Sequence, residues 1–257
     1  MKMEVLTPWV VNATAHCAPT CTIYCGDCKE VIKLLDFDAV VTDPPYGIGF
    51  DQSKKEQKYH NLKTIIGDDK RFDCTHLLDL VGEIRLPDKL YEKVTTKLNE
   101  KKALVIFGAN HFCKDIPERG SWLTWDKSCG QGPNTNFTDA EYIWVNRNIK
   151  RCIYRHFWLG AFRSGQDNSN NAKRSHPSMK PVELMSWLIE SARIGVGKIV
   201  LDPYMGVGST GVACLQSGRS FIGIEIDPEY YEIAKTRLLK QIEIMKDPQP
   251  QDFDFSE

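Results

Sequence analysis

Two short runs hold the residue types from which a binding or transfer site can be built. Gly206-Val207-Gly208-Ser209-Thr210-Gly211 has the GxGxxG spacing, and Glu225 follows Gly206 at nineteen residues. Glycines let the backbone approach a ligand closely, and a carboxylate at the end of the next strand can accept from both hydroxyls of a ribose. The pattern points to a nucleotide-type ligand, although such turns also serve simply to pack a helix on a strand. The second run, Asp43-Pro44-Pro45-Tyr46, closes an apolar stretch. It sets a carboxylate, a carbonyl on a proline-stiffened backbone and an aromatic ring side by side. Read only as structure, it is a rigid strand-ending turn with a tyrosine anchor.

Charge adds a third feature. Lys plus Arg is 33 against 34 for Asp plus Glu, so the net charge of −1 gives no global sign of a polyanionic partner. Between Val145 and Lys180, however, eight basic residues (Arg147, Lys150, Arg151, Arg155, Arg163, Lys173, Arg174, Lys180) meet one acid, Asp167. That segment is either a phosphate-facing surface or a solvated loop balanced by neighbours in space. Cys17, Cys21, Cys25 and Cys28 lie close together, but without the paired CxxC knuckles of a structural zinc site, and no feature calls for a metal. Cys25 and Cys28 read as small buried residues at a strand end.

The elements that must position these residues alternate between strand and helix. A strand at 23–25, a helix at 28–35 and a strand at 38–42 form a first β-α-β unit that ends on Asp43. A polar, lysine-rich loop follows, and structure is expected to resume near Leu90 with a helix at 90–98. Strands at 103–107, 121–125 and 140–145 come next. Pro181 opens a helix to about Arg193, then a strand at 198–201, a helix at 209–216, a strand at 220–226 and a final helix at 228–246 complete the chain. Such alternation predicts an α/β fold with a mostly parallel sheet covered on both faces.

Only 46 residues follow Gly211, enough for one strand and one helix. The remaining strands must precede the glycine loop, so the sheet is permuted, and its switch-point crevice also receives the end of the strand that carries Asp43. That order, with Gly26-Asp27-Cys28 upstream, His176-Pro-Ser-Met-Lys-Pro181 downstream and Asp202-Pro-Tyr-Met-Gly-Val-Gly208 last, resembles the β-group of amino-directed DNA methyltransferases. Ile66-Gly-Asp-Asp69, Phe107-Gly-Ala-Asn-His111, Trp125-Asp-Lys127 and Asp139-Ala-Glu-Tyr142 resemble its phage-type and prophage-type members. The resemblance runs from about Thr22 to Leu239. It implies a permuted Rossmann-like fold that uses S-adenosylmethionine and carries a small target-recognition insertion. The glycine loop by itself fits a dinucleotide equally, and a nucleotide-binding oxidoreductase would leave Asp43 to Tyr46 without a role.

An exocyclic amino group is a poor nucleophile because its lone pair is delocalised into the base. In the catalytic set that the resemblance implies (Asp43, Pro44, Pro45, Tyr46), the Asp43 carboxylate and the Pro44 carbonyl accept the two amino protons and localise that pair, while Tyr46 stacks on a flipped base. Aspartate at the first position is more usual for adenine N6 and serine for cytosine N4, so adenine is expected, with cytosine N4 the alternative. For the cofactor the resemblance implies Asp27 and Cys28 beside the adenine and Glu225 at the ribose, with Ile226 a further cofactor contact. It implies Ser178, Lys180, Asp202, Pro203, Tyr204, Gly206 and Gly208 around the methionine moiety, with Ser209 a further cofactor contact. Tyr204 stands where phenylalanine is commoner and Met179 where glutamine is, and Asp227 reads as a helix cap.

DNA contacts are expected from Arg147, Lys150, Arg151, Arg155, Arg163, Lys173 and Arg174, with most of the interleaved aromatics serving as local core. The expected organisation is a catalytic half at 22–145 containing a mobile loop at 49–70, a target-recognition region at 146–174, a cofactor half at 175–246 and a disordered acidic tail at 247–257. The resemblance implies a homodimer, and it is compatible with action alone or beside a cognate endonuclease. With no apolar run long enough for a membrane span and no signal-peptide pattern, a cytoplasmic location is expected.

Overall fold

A computed structural model of the protein describes residues 8–12, 19–47, 66, 68, 72–81, 102–131, 138–159, 162–163 and 179–247. The strands are β1 (Trp9–Asn12), β2 (Thr20–Cys25), β3 (Ala39–Thr42), β4 (Ala103–Phe107), β5 (Ser121–Asp126), β6 (Ala140–Val145), β7 (Ile153–Arg155), β8 (Trp158–Leu159), β9 (Phe162–Arg163), β10 (Ile199–Asp202) and β11 (Ser220–Glu225). The helices are α1 (Cys28–Val31), α2 (Thr75–Leu80), α3 (Val182–Ser191), α4 (Ser209–Gln216) and α5 (Pro228–Lys246).

Every residue of β3 and β4 is buried, as expected of unbroken apolar runs that occupy the middle of a sheet covered on both sides. The nine-stranded sheet has the order β1-β2-β11-β10-β3-β4-β6-β5-β7. Its central five strands, β2 to β4 in that order, pair in parallel; β1 and β6 pair antiparallel with their neighbours. On one face α3, α4 and α5 bury Leu184, Leu188, Leu215 and Leu238, and on the other α1 and α2 bury Val31, Leu77 and Leu78. Each such leucine contributes roughly 1.5–3 kcal/mol by leaving water.

The permuted order is present. From β10 the chain crosses through α4 to β11 on one side, whereas β3 leads to β4 on the other, so the directions of progress diverge between β10 and β3. Their carboxyl ends therefore flank a switch-point crevice.

Several elements differ from expectation. Structure resumes before Leu90: α2 is a single short helix whose start is fixed by Asp73 Oδ1 accepting from Thr75 N at 2.9 Å. Six residues are too few for a helical period to show in sequence. The expected helix at 28–35 is one α-helical turn followed by a 3-10 turn, Ile32–Leu34. The expected recognition region sends β7 into the main sheet, parallel to β5, while β8 and β9 form a separate two-stranded ribbon. The helix at 90–98, the loop at 49–70 apart from Ile66 and Asp68, and residues 248–257 of the tail lie outside the described residues. Among the described residues no helix is long and apolar enough to cross a membrane, and no cluster of metal-ligating side chains occurs.

Candidate active site

The crevice between β10 and β3 opens into a cavity of about 490 Å³, within the range of roughly 300–1,000 Å³ usual for small-molecule sites. Asp202, the last residue of β10, lies at its base. The Asp202 carboxylate accepts from Thr42 Oγ1 at 2.8 Å, from Thr210 Oγ1 at 2.6 Å and from Tyr204 N at 3.1 Å. It thereby ties the ends of β3 and β10 to the first turn of α4. Burial raises its carboxyl to about 7, despite those donors.

Glu225 closes the glycine loop from β11. Its Oε2 accepts from Gly206 N and its Oε1 from Asp227 N, each at 2.9 Å. The Ile226 backbone also donates to this carboxylate, and a carboxylate with about four acceptor sites still has capacity for a ribose hydroxyl. Asp227 caps α5 as expected, accepting from Glu229 N at 2.9 Å. Asp27 caps α1 and also lines the cavity.

Of the sequence-derived cofactor set, Asp27, Cys28, Lys180, Asp202, Pro203, Tyr204, Gly206, Ser209, Glu225 and Ile226 line this cavity. Gly208 does not. At φ +78 it begins α4, and a Cβ there would lie 3.3 Å from that of Ala234, so its small size serves helix packing. Ser178 lies outside the described residues. The cysteine expectation holds for Cys28, which is buried, whereas Cys25 is only half-buried.

Sequence reasoning missed one wall of the cavity. His76 of α2 holds Asp73 O through Nδ1 at 2.9 Å, which leaves Nε2 to accept from Tyr204 OH at 3.1 Å. Phe72 meets the Tyr204 ring edge-on at 5.6 Å. The hydroxyl that distinguishes Tyr204 from the commoner phenylalanine thus has a partner. Burial pushes the Tyr204 phenol up and the His76 imidazole down.

At the opposite wall stands Asp43, immediately after β3, with Pro45 beside it in the cavity lining. Pro44 is buried, and Pro44 and Tyr46 are not part of that lining. Tyr46 OH donates to Asp43 Oδ1 at 2.6 Å, and Lys180 Nζ sits 2.8 Å from Oδ2. Burial raises the Asp43 carboxyl, and Lys180 offsets part of that rise. The Tyr46 ring stacks on His111 at 5.0 Å and 20° and rests on Gly108, which has a φ of +62 and where a Cβ would run into the tyrosine ring. Gly47 N donates to Asp68 at 2.9 Å. The structure therefore gives Tyr46 and Lys180 partners that the sequence did not. Lys180 was expected at a cofactor carboxylate, yet its ammonium is paired with Asp43 and, at 3.2 Å, with Glu141.

The basic segment is less uniform. Lys150, Arg151 and Arg155 are exposed, but Arg155 Nε lies 3.4 Å from Asp126 Oδ2, and Arg147 is half-buried. Tyr154 stacks on Trp187 of α3 at 5.0 Å, and Trp158 packs against the same core, as expected for local core aromatics. Lys173, Arg174 and the side chain of Arg163 lie outside the described residues.

The chain as a whole is similar to known proteins. The chain is 24% identical to the type II methyltransferase M.HpaI of Haemophilus parainfluenzae, across 84% of this chain and 73% of that protein. It is 32% identical to the type II methyltransferase M2.LlaDCHI of Lactococcus lactis subsp. cremoris, across 46% of this chain and 50% of that protein. The crystal structure of the M1.HpyAVI–SAM complex superposes with a TM-score of 0.50 at 25% identity, covering 85% of this chain and 98% of that one. Residues 91–236 match the DNA methylase family of N6- and N4-directed enzymes. With more than half of the chain inside that match, and with its strand order and motifs in the permuted arrangement, the protein belongs to the N6/N4 DNA methylase family.

Proposed function

We propose that the protein methylates the N6 amino group of adenine within a short sequence of duplex DNA, with S-adenosylmethionine as methyl donor. Family membership carries the coarser activity, an amino-directed DNA methyltransferase; the choice of adenine rests on aspartate, rather than serine, at position 43. The observation that carries the reading is the juxtaposition of the Asp43-Pro44-Pro45-Tyr46 turn with the acid-lined cavity at the β10/β3 switch point.

The cavity residues suit the donor. Asp43 and Asp202 present carboxylates to a cationic ligand, Glu225 and Asp27 offer acceptors for hydroxyl and amino groups, and Tyr204, Ile226 and Phe72 supply apolar surface. When bound, S-adenosylmethionine supplies an electrophilic methyl group on a sulfonium. The chain's own residues do the rest. Asp43 and the Pro44 carbonyl accept hydrogen bonds from the two amino hydrogens of the target base and localise its lone pair for in-line attack; one amino proton is lost to solvent once the methyl group is on nitrogen, so no covalent enzyme intermediate is required. The target base must leave the helical stack, at a cost of about a few kcal/mol met by contacts in the site. Arg147, Lys150, Arg151, Arg155, Arg163, Lys173 and Arg174 are the proposed phosphate and base contacts of the recognition region.

The test is expression in a host that lacks DNA methylation, followed by single-molecule sequencing of its native genomic DNA with a method that separates N6-methyladenine from N4-methylcytosine. A methylated adenine motif is expected. Methylcytosine at N4 would replace the adenine assignment, and unmodified DNA despite S-adenosylmethionine binding by the pure protein would overturn duplex DNA as substrate.

A further inference from the structure

Asp43 is the end of a buried row of charges. Lys180 Nζ lies 2.8 Å from Asp43 Oδ2 and 3.2 Å from Glu141 Oε2, and Lys127 Nζ lies 3.1 Å from Glu141 Oε1. The two ammonium-bearing side chains are only 7% and 11% exposed. The row is assembled across one end of the strands: Asp43 follows β3, Lys127 follows β5, and Glu141 lies at the start of the antiparallel β6. Burying four charges is costly, and apolar replacements of such sets are often neutral or stabilising, so stability alone does not account for it.

The contacts within the row are unequal. Lys127 makes hydrogen bonds to Glu141 Oε1 and to Thr138 Oγ1. Glu141 Oε2, by contrast, is buried and faces Lys180 as an ion pair without hydrogen-bond geometry. Lys180 also lines the cofactor cavity, where an anionic group could draw it from Asp43. Glu141 opposes that displacement from behind.

We propose that Glu141 is a positioning residue of the methyl transfer: it holds Lys180 against Asp43 and sets the net charge that Asp43 presents to the target amino group, while Lys127 fixes Glu141. The inference rests on the reading of Asp43 as the acceptor of the amino hydrogens. The groups around Asp43 are Tyr46 on its own turn, Lys180 from the segment before α3, Glu141 from β6 and Asp202 from β10. Asp68 and His111 act on it through the Tyr46 turn, and Lys127 through Glu141.

Transfer requires Asp43 ionised, so the rate rises with pH along an acid limb that belongs to the coupled set. Asp43 and Glu141 hold the Lys180 ammonium well above its ordinary range, so Lys180 stays charged along that limb. Removing the negative charge of Glu141 makes Asp43 more acidic and moves the limb to lower pH. Removing the positive charge of Lys127 moves it to higher pH. A residue with only a structural role changes the plateau rate and not the position of the limb.

The experiment compares wild type, Glu141→Gln and Lys127→Met in methyl transfer from tritiated S-adenosylmethionine to unmethylated genomic DNA across pH. Cofactor affinity is measured by calorimetry and folding by circular dichroism. Expected are a shift of about one pH unit downward for Glu141→Gln and a smaller upward shift for Lys127→Met. Cofactor Kd should stay within threefold for both. A folded variant whose profile keeps the wild-type position, or whose rate falls only in step with cofactor affinity, overturns the inference. If Glu141→Gln does not fold, the sign of the Lys127→Met shift decides. Asp43→Ala is the control: if it transfers methyl groups at the wild-type rate, the reading of Asp43 fails, whereas loss of transfer with unmoved profiles in the other two variants removes only the role of Glu141.

Discussion

Asp202 shows how one residue couples ligand geometry to stability. Three donors hold its carboxylate at the base of the cavity, yet burial still raises it to about 7, against roughly 4 in an unfolded chain. The folded protein therefore binds this proton more tightly than the unfolded chain does. Its contribution favours the fold below about pH 4 and is lost progressively as pH rises to about 7. Asp202→Asn removes the titration and keeps the shape, and both threonine hydroxyls can rotate to suit an amide. In ligand-free protein, denaturant unfolding should show the variant gaining on wild type from pH 5 to pH 8 by on the order of 2–3 kcal/mol. A pH-independent difference would mean that Asp202 does not titrate in that range.

At the scale of elements, the packing of α4 decides a competition between two effects. Ala is preferred to Gly inside a helix by about 1 kcal/mol, so Gly211→Ala on propensity alone would stabilise. A Cβ at position 211, however, would lie 2.7 Å from Leu238 Cδ2 of α5 and 2.7 Å from the Phe221 ring of β11. Overpacking costs about 1–3 kcal/mol. The expected result is a net loss of about 1–2 kcal/mol, seen as a lower Tm with cofactor affinity little changed, because Gly211 does not line the cavity. A higher Tm would show that α4 can move away from α5.

The same scale explains what the sequence made legible. β3, β4, α4, β11 and α5 are long or uniformly apolar, and their patterns fall within one or two residues of the observed ends. β1, β7 and α2 are too short for a period to show, and β7 owes its strand to β5, which lies 29 residues earlier. In the site, Asp43, Asp202 and Glu225 were legible because each follows or ends an apolar strand beside a turn motif. Glu141 and Lys127 were not assigned a role, although both lie in segments that resemble the family. On β6 the burial changes from half-exposed to fully buried along the strand, and a lone glutamate at its start reads as a solvent-facing residue. Only the pairing of β6 beside β4 and β5 brings it to Lys180 and Lys127.

For the whole molecule, permutation makes the two halves expected from the motif order inseparable. β2 from the first half pairs with β11 from the second over five positions, and β10 from the second pairs with β3 from the first. Two strands of the later segment are therefore inserted between strands of the earlier one. Separated at residue 170, the first piece would have a gap in the middle of its sheet. The second piece would hold β10, β11 and three helices, with both flanking strands, β3 and β2, stripped from its two-stranded sheet. The cavity is divided in the same way, with Asp27 and Asp43 in one piece and Asp202 and Glu225 in the other. Residues 1–170 and 171–257 expressed apart should each lack a cooperative thermal transition and fail to bind S-adenosylmethionine by calorimetry. Refolded together they should recover both properties, because the two parallel seams supply the missing pairs. Independent cooperative melting of either piece would mean that the sheet tolerates the loss of its centre, and that the switch-point crevice, rather than the fold, is what the complete chain is needed to build.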